Sequence, residues 1–71
     1  MKASKLVAGD AYALLSFPNE KLIYQGLAPE DMAPYVGEHI FFNVKPLGRI
    51  PGCVCSDAQV EQVIVEFTEV H

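Results

Sequence analysis

Along this chain the apolar positions alternate with period two more often than they recur every three or four residues, and the alternating stretches are short, bounded by proline and glycine. From Glu38 to Lys45, Ile40, Phe42 and Val44 fall on one face of an extended segment, and His39, Phe41, Asn43 and Lys45 fall on the other. The first set is apolar throughout and predicts the core side of a strand. Ala11 to Phe17 is a shorter example, with Tyr12 and Leu14 on one face and Ala13 and Leu15 on the other. Pro18-Asn19 is expected to break it, and Lys21 to Gln25 reads as the second arm of an antiparallel hairpin.

Between Gly26 and Gly37 the alternation lapses. Pro29 suits the first position of a helical turn, Glu30 and Asp31 suit its positive end, and Pro34 forbids a long continuation. One helical turn inside a connecting loop is the expectation. Pro46, Gly48, Pro51 and Gly52 mark a further loop, and Cys53-Val54-Cys55 reads as a brief strand after it.

Ser56 followed by Gln59 fits a capping box, in which hydroxyl and amide satisfy backbone N–H groups at the start of a helical turn. From Val63 the β-branched content favours a strand, with Val63, Val65 and Phe67 on one face and Ile64, Glu66 and Thr68 on the other. A longer helix over residues 56–65, with Val60, Val63 and Ile64 on one face, is the rival, disfavoured because the run Val63-Ile64-Val65 loses side-chain freedom in a helix. The whole predicts one mostly β domain over residues 1–71, a small five-stranded antiparallel SH3-like, partly open barrel with one or two short helical turns. The alternative is an α+β fold with one helix near residues 56–65. The SH3-like comparison is one of architecture, which is compatible with many unrelated functions.

Size and composition change this picture in one respect. A domain of 71 residues buries only about 60% of its unfolded surface, and burial then barely offsets chain entropy. With 51% hydrophobic and only 20% charged residues, the chain has more apolar material than such a fold readily hides. A homo-oligomer burying part of it between subunits is therefore expected. The net charge of −4, with Lys2, Lys5, Lys21, Lys45 and Arg49 scattered, argues against nucleic-acid binding. The acidic residues are scattered too, so an acidic decoy of nucleic acid is the weaker reading beside a solvated surface. No apolar run approaches the roughly 18 residues of a membrane span, and no basic-then-apolar leader opens the sequence, so a cytoplasmic protein without membrane contact is expected.

Candidate chemistry is sparse. Cys53 and Cys55 would send both sulfurs to one strand face and could share a soft metal with His39 or His71, but structural zinc sites need more ligands, and two small apolar residues is the plainer reading. His39 could serve as a general base, yet no nucleophile motif or orienting group stands beside it. Isolated glycines make no phosphate loop, and no cofactor is implied. Phe41, on the mostly polar face of its strand, is the main interface candidate, joined by Ile64, Tyr24, Tyr35 and His39. The expected function is that of a non-catalytic protein acting through protein–protein contact, a self-associating accessory or inhibitory protein of the kind found in bacteria or mobile elements. The alternative is a small-molecule-binding protein or minimal enzyme whose site forms between subunits, lined by Tyr24, Phe41 or His39.

Overall fold

The first hairpin turns at Leu15-Ser16, ahead of the proline that was expected to break the chain. Strand β1 (Ala11–Leu14) leads through this turn into the long strand β2 (Phe17–Leu27), which passes through Pro18 and Asn19. The pairing register shifts between Tyr12 and Leu14, so the stretch of β2 that contains Pro18 bulges out of the ladder with β1. A residue with no N–H is tolerated there because no ladder bond is asked of it. The structure, a computed structural model, describes residues 1–45 and 47–68; the readings made for Pro46 and His71 lie outside these.

A second shift, between Tyr24 and Gly26, bends β2 against β3 (His39–Asn43). Gly26 takes a φ of 103° at this bulge, a conformation that costs a side-chain-bearing residue far more. The intervening loop holds the single helical turn expected after Pro29, a 3-10 turn over Glu30–Met32. Strand β4 (Gly52–Cys55) pairs with β3, helix α1 (Asp57–Val63) follows, and β5 (Ile64–Glu66) returns to pair with β1. All pairs are antiparallel, and the sheet order is β4-β3-β2-β1-β5. The five strands form one sheet that does not close, a mostly β architecture consistent with a small, partly open barrel.

The capping box forms as expected: the Ser56 hydroxyl accepts from the Gln59 N–H at 3.3 Å, and the Gln59 side-chain oxygen accepts from the Ser56 N–H at 2.9 Å. The helix runs about two turns, longer than the brief turn expected, and yields to the β-branched strand at Ile64. No helix among the described residues is long and apolar enough to cross a membrane.

The inner face of the sheet contributes Tyr12, Leu22, Tyr24, Phe41, Cys55 and Ile64 to one core, which Val60 of α1 closes from above. Met1, Ala3 and Leu6, around a 3-10 turn at Ala3–Lys5, pack against it. This reverses the expected register of β3. Phe41 points inward and is 1% exposed, while Phe42 is 60% exposed, and Val44 is exposed with it. Alternation misleads here because the inner face of β3 reads His39, Phe41, Asn43, polar at both ends. Those polar ends find partners within the fold, so burying them is tolerable.

Candidate functional site

Three features could carry function: a polar chain around His39, the thiol pair, and the outer face of the sheet. His39 is expected on the outside of its strand and is instead buried. Strand β3 faces it toward Tyr24 of β2, whose hydroxyl lies 2.8 Å from Nδ1, while Nε2 lies 2.5 Å from Oδ1 of Asp57 in the first turn of α1. A carboxylate only accepts, so Nε2 carries the proton; in the neutral ring Nδ1 is then the acceptor and Tyr24 donates to it. Asp57 lies outermost, its side chain 84% exposed.

The order carboxylate, imidazole, hydroxyl resembles a nucleophile relay, but the hydroxyl is wrong for one. Tyr24 is buried against Tyr12 and Phe41, with ring centroids 6.4 and 5.2 Å away. Burial, aided by the charges of Tyr12 and Asp57, pushes its ionisation above the ordinary value. Its hydroxyl is enclosed beside His39. The chain of bonds instead pins α1 to strands β2 and β3. Sequence reasoning found no orienting group for His39 because Tyr24 and Asp57 are brought to it by strand pairing and by the start of α1, with no spacing that signals either.

The thiols of Cys53 and Cys55 do share the inner face, their sulfurs 3.7 Å apart. Both are free. Burial first, then the neighbouring Cys55, pushes the Cys53 thiol up to about 12, and burial raises Cys55 as well. Protonated thiols are poor nucleophiles and poor metal ligands at neutral pH. Among the described residues no cluster of three or more His, Cys, Asp or Glu side chains could hold a metal ion. The pair extends the core under β4.

The interface residues expected from sequence do not assemble. Phe41, Ile64 and Tyr24 belong to the core, each with too little exposed surface to meet a partner, and His39 is buried beside them. Tyr35 is exposed in the loop before β3 and stands apart. What the register does assemble is the opposite face. Phe42 of β3 pairs with Ile23 of β2, which pairs with Ala11 of β1; Ile40 pairs with Val54 of β4; and Ala13 pairs with Val65 of β5. These are the outward positions of adjacent strands; Ala13 among them is fully buried, Ala11, Ile23, Ile40, Val54 and Val65 are half-buried, and Phe42 is exposed. Opposite Phe42 on β4 stands Gly52, which carries no side chain to cover the ring. Lys21 borders the surface, its ammonium 5.9 Å from the Phe67 ring centroid. The run Ile40, Phe42 and Val44 marks this face in the sequence, and it lies on the outer side of the strand, opposite to the expectation.

No protein family, no curated protein and no solved structure matches this chain.

Proposed function

We propose that this chain is a non-catalytic interaction protein that self-associates through the outer face of its sheet. The observation that carries the reading is Phe42, a large aromatic side chain 60% exposed beside the half-buried apolar residues Ile23, Ile40 and Val54. An exposed apolar patch of this kind marks an interaction surface. A second copy suits it on charge. Each chain carries −4, so two copies meet most readily through a surface that holds few charges, and the outward paired positions Ala11, Ile23, Ile40, Phe42 and Val54 carry none. Stability argues the same way, since a domain of 71 residues gains from any apolar area buried against a partner. The strand order and the helix placed before the last strand support an SH3-like description of the fold, a scaffold that imposes no chemistry of its own.

Analytical ultracentrifugation of the wild type and of Phe42→Asp tests the reading. The wild type is expected to sediment as an oligomer at tens of micromolar and the variant as a folded monomer. A wild type that stays monomeric at several hundred micromolar overturns self-association. The rival, a ligand site between subunits lined by Tyr24, Phe41 or His39, has no support from the burial of those side chains.

A further inference from the structure

At the end of the sheet where β1 turns into β2, a hollow of about 400 Å³ lies between the first residues of β2 and the loop that joins β3 to β4. Its walls include Ser16, Phe17, Asn19, Lys45, Leu47 and Arg49. The volume falls in the range of small-ligand sites, about 300–1,000 Å³. It arises because β2 outruns its neighbours. Phe17 still pairs with Leu14, but the bulge takes Pro18 to Glu20 out of the ladder with β1, and the last pair with β3 is Leu22 with Asn43, so Pro18 to Glu20 have no paired residue on either flank.

The loop on the other side is held in place by its backbone. The Asn43 side chain donates to the Ile50 carbonyl and accepts from the Lys45 N–H, Gly48 N–H donates to the Lys45 carbonyl, and the buried carboxylate of Glu20 accepts from the Arg49 N–H. Gly48 packs so closely on the Asn43 amide that a side chain there would displace it. These bonds engage the backbone of Lys45, Gly48, Arg49 and Ile50, and the side chains of Lys45 and Arg49 take no part in them. Among the described residues neither cation makes an ion pair, the Glu20 carboxylate that also lines the hollow being engaged by the Arg49 N–H. Two of the five cations in a chain of net charge −4 thus flank one preformed hollow.

We propose that this hollow binds a small organic phosphate bearing hydroxyl groups, of the size of a sugar phosphate. Lys45 and Arg49 take the phosphate, the guanidinium in bidentate fashion and the ammonium as a point charge. Ser16 and Asn19 hydrogen-bond the hydroxyl groups, and Phe17 and Leu47 cover the carbon skeleton. Glu20, already occupied by the Arg49 N–H, shapes the floor and excludes a second anionic group from it. The site lies within one chain and does not depend on self-association.

The test is an amide-shift NMR titration at constant ionic strength with ribose 5-phosphate, ribose and inorganic phosphate, on the wild type and on the Lys45→Ala/Arg49→Ala variant. Both replaced side chains are exposed, and the bonds that anchor the loop come from backbone, so the variant is expected to keep the wild-type shifts elsewhere. The expected result is saturable movement of Ser16, Asn19, Glu20, Lys45 and Arg49 with ribose 5-phosphate, weaker binding of inorganic phosphate at the same amides, none of ribose, and at least a tenfold loss of affinity in the variant. Inorganic phosphate binding as tightly as ribose 5-phosphate overturns the claim for the hydroxyl-bearing body. Absence of saturable shifts, shifts spread equally over Lys2, Lys5 and Lys21, or unchanged affinity in the variant overturns the site.

Discussion

Phe41 and Phe42 are adjacent, chemically identical, and have opposite fates: one is 1% exposed at the centre of the core and the other 60% exposed on the far side of the same strand. The two faces of the sheet differ less in what they carry than in what lies over them. The inner face is covered by Val60 of α1 and by Leu6, Met1 and Ala3 of the N-terminal segment, so its rings lock against one another. Phe41 meets Tyr12 edge-on at 6.0 Å and Tyr24 at 5.2 Å between centroids. On the outer face Ile23, Ile40 and Val54 are half-buried beside an exposed Phe42. Hydrophobicity makes a strand worth covering, while topology decides which side this chain covers itself.

The sharpest way to break that comparison is to truncate both rings. Phe41→Ala opens a cavity in a filled core and is expected to cost about 3–5 kcal/mol, enough to unfold a domain near the low end of ordinary stability. The urea midpoint of Phe41→Ala measures this, and a midpoint equal to that of the wild type would return Phe41 to the surface.

Next in size is Gly52→Ala. Gly52 has a φ of 146°, and a Cβ there would press on the Phe41 carbonyl across the β3–β4 pair. The substitution adds only a methyl group, yet backbone strain of this type costs about 1–3 kcal/mol. Because the clash is with backbone, no side-chain movement relieves it. If thermal unfolding of Gly52→Ala matched the wild type, β4 would have to sit farther from β3 than the register states.

The inner face also reaches the edge strand, and alkaline pH reads how completely. The Cys53 thiol is raised by burial from 9.0 to about 12 in the folded chain, while the unfolded chain releases that proton near the ordinary value. Between those limits the folded state holds the proton that the unfolded state has lost, so stability is full below about pH 9 and falls as pH rises toward 12. Tyr24, also raised, adds to the loss in the same direction above its ordinary value of 10.0. Urea midpoints in reducing buffer near neutrality and at about pH 10.5 are expected to fall less in Cys53→Ala than in the wild type. An equal fall in both would put the thiol in solvent and end the core short of β4.

How much of this was legible depends on whether the determinant was local. The capping box at Ser56 and Gln59, the turn after Pro29 and the strand that follows α1 are set by residues a few positions apart, and each was readable. The sidedness of β3 was not, because His39 and Asn43 look like outward residues until the groups that satisfy them are in place. Those groups, Tyr24, Asp57 and the Ile50 carbonyl, lie 15, 18 and 7 residues away in sequence. Pro18 misled for a related reason: its tolerance rests on a bulge created by how β1 and β2 pair, which the proline alone does not announce. The expected interface fails for two such reasons: the β3 register puts Phe41 in the core and Phe42 outside, and the last strand turns Ile64 inward under α1.

The smallest effect on the isolated chain is the most telling one for the outer face. Phe42→Thr keeps β propensity and removes the ring from solvent, so the stability of the dissociated monomer is expected to change by no more than about 0.5 kcal/mol. Mass action supplies the contrast. If a second copy covers Phe42, the wild-type Tm rises with protein concentration, since the oligomer binds the folded and not the unfolded chain. Without the ring that dependence should flatten, leaving a Tm near the wild-type value at low concentration. Thermal scans over a hundredfold range of concentration separate the outcomes: equal slopes for wild type and Phe42→Thr would mean that the outer face is exposed apolar surface with no copy of the chain upon it. A Phe42→Thr monomer as damaged as Phe41→Ala would mean instead that the ring is already covered from within, and the contrast between the two faces would fail at its centre.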